Sequence, residues 1–175
     1  MQNHVLQNIV TRRSIRSFTT KQISKEDLNQ IMEAAIYAPS GMNRQSWHFT
    51  ILRNKDLMMT LAQVIARRLR IDETSYTFYS PAVLVIASND RDNRNGFMDC
   101  ACALQNIFLM SHELGIGSVW INQLRGICDE PEVRPVLDQL GIPANHVVWG
   151  MAALGYPAES LEAAPRMEGT IHYVD

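Results

Sequence analysis

The chain has 175 residues, of which 46% are apolar and 19% are charged, and its formal net charge is −2. This length fits one domain over residues 1–175, with two small domains as the less favoured case, and the apolar content supports a buried core rather than general disorder. The nearly balanced charge excludes a surface that binds polyanions everywhere, so we expect no nucleic-acid partner.

The first half of the chain alternates between helical and strand periodicities. Residues 3–11 predict a short helix that leads directly into three arginines. Helical spacing returns after Ser24, which forms a loose capping box with Asp27, and it stops before Pro39. Residues 46–52 alternate like a strand, residues 56–70 are helical, and residues 81–88 form a short apolar run. Such a run predicts a strand that is buried on both faces.

The second half of the chain contains a long helix, over residues 96–115, that is apolar on nearly every side and ends at Gly115. A helix of this kind has to be covered all round, which in a small chain indicates a subunit interface. Residues 117–121 and 146–154 predict two strands, residues 132–140 a helix, and residues 169–175 a last strand that projects from the globule. The fold class predicted is α+β, with a mixed or antiparallel central sheet of four or five strands flanked by helices.

The three cysteines Cys100, Cys102 and Cys128 follow neither a disulfide framework nor a zinc spacing. We interpret Cys100 and Cys102 as small buried hydrophobic residues of the long helix. The N-terminus shows no apolar signal segment, and no apolar run approaches the length of a membrane span. These features predict a cytoplasmic protein with no metal site and no membrane partner.

Two polar segments carry the candidate chemistry. In "RRSIR", the guanidinium groups of Arg12, Arg13 and Arg16 present planar donor forks around Ser14 that match a phosphate, although an isolated segment of this kind is more often a solvated basic turn. In "PSGMN", Pro39 and Gly41 shape the backbone. Ser40 and Asn43 supply small polar groups that can form hydrogen bonds with the edge of a heteroaromatic ring. By itself this second segment is only a helix-to-strand connection.

Other familiar catalytic patterns are excluded. The GxG of "LGIGSVWI" follows a helix and leads into a strand, which is the reverse of the order in a dinucleotide-binding fingerprint. The five histidines are scattered and belong to no metalloprotease or nucleophile motif. The sequence therefore gives no basis for a hydrolase.

Five motifs in order resemble the FMN-dependent nitroreductase family over essentially the whole chain: "RRSIRSF", "APSGMNRQSWHF", "PAVLVIAS", "HELGIGSVWIN" and "PRMEGTIHY". The resemblance implies a nitroreductase-like fold and a homodimer with FMN at the subunit interface, in which the C-terminal strand extends onto the partner. It also implies that NADH or NADPH acts as a transient electron donor. A hydride would pass through flavin N5 to a small-molecule acceptor, such as a nitroaromatic or a quinone, by a ping-pong mechanism.

The resemblance also assigns cofactor-binding residues, and it requires no catalytic side chain. It implies phosphate ligands at Arg12, Ser14 and Arg166. It places Arg13 along the phosphate and ribityl chain, and Arg16 at the pyrimidine edge as an electrostatic stabiliser. The partner subunit would contribute Pro39, Ser40, Gly41 and Asn43. The residues beside the ring would be Val119, Trp120, Ile121 and Asn122, with a backbone N–H near Asn122 directed at flavin N5.

Two departures from the family pattern bear on substrate choice. Ser46 stands where many relatives have proline. Asn122-Gln123 stands where many relatives have a glycine, so the side chain of Gln123 is expected to narrow the space in which the substrate would bind beside the flavin. Two alternatives stay open. One is a flavoprotein of the same fold with different chemistry, such as reductive dehalogenation or flavin breakdown. The other is a flavin-binding storage or sensing protein with little turnover.

Overall fold

Helices flank one β-sheet within residues 3–162 and 164–174, which are the residues that the computed structural model describes. The helices are α1 (His4–Thr11), α2 (Lys25–Ile36), α3 (Lys55–Leu69), α4 (Gly96–Glu113) and α5 (Arg134–Gln139). The strands are β1 (Trp47–Leu52), β2 (Val83–Asp90), β3 (Gly117–Ile121) and β4 (His146–Gly155). A short 3-10 turn, Gly41–Asn43, lies between α2 and β1.

The four strands pair in the order β1-β2-β4-β3, and every pairing is antiparallel. The sheet is therefore antiparallel rather than mixed. The prediction that β2 is buried on both faces is confirmed, because seven of its eight residues are buried. Leu84 and Ile86 point into a core with α3, whereas Val83 and Val85 point into a second core with α2 and α4.

Side-chain caps explain where three helices begin. The carboxamide oxygen of Asn3 accepts a hydrogen bond from the backbone N–H of Leu6, and Ser24 caps α2 by accepting from the N–H of Asp27. Asn54 caps α3 in the same way. Each cap satisfies backbone donors that the first turn of a helix leaves unpaired.

Helix α4 is the structural link between the sheet and the other helices on its side. Its buried face, which includes Cys100, Leu104 and Ile107, packs on β2 and β4 within the second core. Its opposite side stays open in the single chain, because Met98 is half-exposed and Cys102 is exposed. The prediction that both cysteines of this helix are buried is thus wrong for Cys102.

The single chain leaves further apolar groups exposed. Val5, Leu6, Ile9 and Val10 of α1 are at least 46% exposed. In the C-terminal tail, Ile171, Tyr173 and Val174 are at least 72% exposed.

The tail also departs from the prediction of a last strand. Residues 170–174 form no strand, because they pair with no strand of the described chain. Pairing of this segment with a partner subunit stays a prediction.

The remaining differences from the sequence predictions are small. Helix α5 begins two residues later than predicted and ends one residue earlier. Among the described residues, no helix combines the length and the apolar character that crossing a membrane would require.

Candidate functional site

Arg12 and Arg13 lie where α1 ends, and the charge of Arg166 also acts on Arg12. Arg12 is the residue that caps α1, and its guanidinium carbon lies 5.9 Å from the centre of the Phe108 ring. Partial burial lowers the pKa of Arg12, and the neighbouring charges of Arg13 and Arg166 lower it further. The charge of Arg166, in the C-terminal tail, thus acts on Arg12 at the end of α1, and a shared role of the two residues in binding a phosphate stays a prediction.

The arginine segment is held along the start of β3. Ser14 forms a parallel bridge with Ser118, and the N–H of Ile15 donates to the carbonyl of Ser118 over 3.0 Å. The approach is close, because a Cβ atom added at Gly117 would lie 2.9 Å from the side chain of Ile15. The GxG pattern thus serves strand packing at this position.

A cleft of about 230 Å³ opens between these elements and the segment that follows β4. Two polar atoms of its lining residues, the Ser118 hydroxyl and Nε of Arg13, are buried without a hydrogen-bond partner in the described chain. A buried donor without a partner is unfavourable, so these atoms call for an acceptor from outside the chain. With the guanidinium groups of Arg12 and Arg13 in the lining, the donor set fits a phosphate group.

Arg13 and Arg16 already make contacts inside the chain. Nη1 of Arg13 donates to the carbonyl oxygens of Val10 and Arg12, over 2.9 and 2.6 Å, so its guanidinium closes the end of α1. The guanidinium of Arg16 is exposed and donates weakly to the Ser14 carbonyl over 3.4 Å. The backbone N–H of Arg16 donates to Glu159 Oε1 over 2.9 Å.

Sequence reasoning missed two residues of this cleft, Glu159 and His112. Glu159 places a carboxylate in the lining of the cleft together with Arg12 and Arg13, and no local sequence motif indicates this position. Nε2 of His112 lies 2.8 Å from the hydroxyl of Thr11. Burial, and then the charge of Arg12, lower the pKa of His112, which favours the neutral ring at pH 7.

The second predicted segment, residues 39–43, lies in a tightly folded loop. Met42, Asn43 and Gln45 all adopt positive φ angles of 50–56°. This conformation costs about 1–2 kcal/mol for residues such as Met and Gln, whereas Asn adopts it more readily. The Ser40 hydroxyl accepts a hydrogen bond from the N–H of Gln45 over 3.1 Å. The N–H of Gly41 donates to a carboxylate oxygen of Asp99 over 2.8 Å.

Helix α4 separates the two predicted groups within one chain. The loop contacts Asp99 in the first turn of α4, whereas the arginine cluster contacts Phe108 and, through Thr11, His112 near its last turn. Asp99 and Phe108 are nine residues apart in this helix, which corresponds to about 14 Å. One chain therefore does not place the loop beside its own arginines.

The residues predicted beside the ring differ in their surroundings. Val119 and Ile121 are buried in the core, and Trp120 is half-buried with its ring 5.9 Å from that of Phe108. The backbone N–H of Asn122 donates to the side-chain oxygen of Gln123 over 3.0 Å. In the single chain, Gln123 thus takes the donor that the resemblance assigns to the flavin.

A separate cleft of about 300 Å³ lies between Phe18 and the first turns of α3. It includes none of the predicted site residues. Nζ of Lys55, the cation at this cleft, donates to the carbonyl of Pro81, and burial lowers the pKa of Lys55. Because this ammonium group already has a partner, the arginine cleft is the stronger candidate for an anionic ligand.

The sequence model of the Nitroreductase family matches residues 9–156, from within α1 to just past the end of β4. The chain belongs to the nitroreductase family. The match ends before the cleft-lining residues that follow β4, which begin at Pro157, and before Arg166.

Known nitroreductases resemble the chain closely over its whole length. A crystal structure of a Bacteroides fragilis nitroreductase with bound FMN has 43% identity and a TM-score of 0.92, and the similarity covers 99% of this chain and 100% of that one. A Desulfitobacterium hafniense nitroreductase with bound FMN has 28% identity and a TM-score of 0.88, with full coverage of both chains. An Archaeoglobus fulgidus protein, provisionally named NADH dehydrogenase/NAD(P)H nitroreductase, is 34% identical over 159 residues, which are 88% of this chain and 86% of that protein.

Proposed function

We propose that the protein is a cytoplasmic, homodimeric FMN-dependent oxidoreductase that consists of one domain, residues 1–175. It would transfer electrons from NADH or NADPH to a nitroaromatic, quinone or similar small acceptor. The observation that carries the proposal is the cleft lined by Arg12 and Arg13, in which the Ser118 hydroxyl and Nε of Arg13 are buried without a hydrogen-bond partner in the described chain. The FMN-bound nitroreductases of the same fold support FMN as the group that brings a phosphate to this cleft.

In this proposal the chain binds and orients the cofactor. Arg12, Ser14 and Arg166 hold the phosphate, with the hydroxyl of Ser118 as a further donor, and Arg13 lies along the phosphate and ribityl chain. Bound FMN supplies the hydride chemistry, first with NAD(P)H and then with the acceptor in a ping-pong cycle. No side chain has to act as an acid or base.

The strand β3 provides the wall beside the ring. Val119, Trp120 and Ile121 lie in succession along it, and Arg16 supplies a cation for the pyrimidine edge. For the N–H of Asn122 to reach flavin N5, the side chain of Gln123 has to release it. Gln123 therefore lies at the substrate side of the proposed site, where it would limit the size of the acceptor.

The homodimer belongs to the proposal because one chain holds only part of the site. Pro39, Ser40, Gly41 and Asn43 would reach the FMN that the other subunit's arginines hold, since about 14 Å of α4 separates Asp99, which contacts the loop, from Phe108, which contacts Arg12. The exposed apolar residues of α1 and of the tail also favour burial against a second copy.

The proposal is tested with purified protein. We expect a yellow protein with one FMN per subunit that oxidises NADH or NADPH rapidly once a nitro compound or a quinone is added. A colourless protein that does not rebind FMN would refute cofactor binding. A flavin-loaded protein without acceptor-dependent turnover would instead indicate storage or sensing, and turnover confined to halogenated aromatics would indicate reductive dehalogenation.

A further inference from the structure

A buried carboxylate in the first turn of α4 has no assigned role in the site described above. Asp99 is only 3% exposed, and the described residues offer it no ion pair. Its Oδ1 accepts the N–H of Gly41 over 2.8 Å, and its Oδ2 accepts Nδ2 of Asn93 over 2.9 Å. Both partners are donors, so the position needs a side chain with two acceptor oxygens.

The loop that Asp99 contacts contains unfavourable backbone conformations. Met42, Asn43 and Gln45 all have left-handed backbone conformations, and a residue with a side chain adopts this conformation less readily than glycine does. Gly41 fits closely against the start of α4, because a Cβ atom there would overlap the side-chain amide of Asn95. The hydrogen bond from Gly41 to Asp99 therefore joins a strained loop to a rigid helix.

The anchor continues into a buried polar network. Nδ2 of Asn93 also donates to the Ser46 hydroxyl over 3.0 Å, and that hydroxyl donates to Oδ1 of Asn89 over 2.8 Å. Oδ1 of Asn93 accepts from the N–H of Asn95. Ser46, just past the loop, and Gly41, within it, are thus both connected to the Asp99–Asn93 pair.

We propose that Asp99 is a positioning residue, which holds the segment Pro39–Asn43 in the shape needed to contact FMN bound by the partner subunit. This inference rests on the proposed function. It assigns Asp99 no contact with the cofactor. If the anchored loop is the only form that contacts FMN, the apparent dissociation constant rises in proportion as the anchored fraction falls.

The substitution Asp99→Asn tests this role because it preserves shape and removes one acceptor. In either orientation of the amide, one donor, Gly41 N–H or Asn93 Nδ2, faces another donor. We expect the FMN dissociation constant to rise about tenfold to a hundredfold, as for a buried donor left unpaired. In the FMN-free protein, hydrogen–deuterium exchange should become faster in residues 40–46.

The double substitution Asn93→Asp with Asp99→Asn is the matched rescue. It returns one donor and one acceptor to the pair and leaves the amide oxygen introduced at position 99 free to accept from Gly41. The Ser46 hydroxyl can then donate to the carboxylate introduced at position 93 if the amide of Asn89 turns, so that its Nδ2, which has no partner in the described chain, donates to that hydroxyl. Asn54→Ala is the control for general instability, because it removes the cap of α3 and has no contact with the loop.

The outcomes separate this inference from the proposed function. Weaker FMN binding and faster loop exchange in Asp99→Asn, partly restored in the double variant and absent in Asn54→Ala, support it. An Asp99→Asn affinity equal to wild type, an equal loss in Asn54→Ala, or no recovery in the double variant overturns it. If wild-type protein itself fails to bind FMN, the proposed function is refuted, and unchanged loop exchange in Asp99→Asn would refute the anchor as well.

Discussion

Replacing Arg166 by alanine should weaken FMN binding about tenfold and leave riboflavin binding unchanged. Arg166 lies close enough to Arg12 to lower its pKa, so the two cations repel each other when no anion is present. A phosphate between them converts this repulsion into attraction. A hydrogen bond to a charged group contributes about 1.5–3 kcal/mol, and we take the lower end because Arg166 is exposed and screened by solvent. About 1.4 kcal/mol corresponds to a factor of ten.

The assay is a titration of the apoprotein with each flavin, followed by quenching of flavin fluorescence. Riboflavin lacks the phosphate, so the difference between the two flavins isolates the contact with Arg166. Arg67→Ala is the matched control. Arg67 is a residue of α3 that forms an exposed ion pair with Glu73, and it does not line the cleft. The loss for FMN should shrink as the salt concentration rises, because ions screen exposed charges.

Thermal unfolding of the FMN-free variant checks that the fold is intact. Since the substitution removes a repulsion, the midpoint of Arg166→Ala should not fall below that of wild type. An equal loss of affinity for FMN and riboflavin, or no loss for either, would show that Arg166 does not bind the phosphate.

Three further predictions follow from the site. Arg16→Met should lower the two-electron midpoint potential of bound flavin by about 30–65 mV, since it removes a cation that favours the anionic reduced form; an unchanged redox titration would contradict this. Because the folded pKa of His112 lies below its unfolded value, the free energy of unfolding should fall as the pH drops below about 6.5. His112→Gln should flatten that fall in urea unfolding, and an unchanged slope would count against it. Light scattering of flavin-loaded protein at micromolar concentration should give the molar mass of a dimer. A stable flavin-loaded monomer would refute the two-subunit site.

The helices and strands were predictable because their signals are local. The spacing of apolar residues placed β3 at its observed bounds and α4 within two residues of them. The continuous apolar run of β2 indicated burial on both faces, and β2 is an inner strand of the sheet with side chains in both cores. The capping box at Ser24 predicted the start of α2.

The contacts that the sequence did not reveal join distant residues. Gly41 and Asp99 are 58 positions apart, and Asp99 interrupts an otherwise apolar pattern, so it had no visible partner. Arg16 and Glu159 are 143 positions apart. The exposure of Cys102 escaped prediction for another reason: composition shows that a side of a helix is apolar, but it does not show whether the covering surface belongs to the same chain.

The position of α4 has an evolutionary consequence if two copies assemble as proposed. Each α4 would support the loop of one pocket at its first turn and the arginine cluster of the other pocket near its last turn. A mutation that shifts or rotates this helix would therefore alter both pockets of the dimer, each at a different end of its cofactor. Substitutions that adapt the enzyme to a new acceptor should be tolerated best at positions off this helix. Gln123 is such a position, because in the proposed site a change there would affect only one pocket.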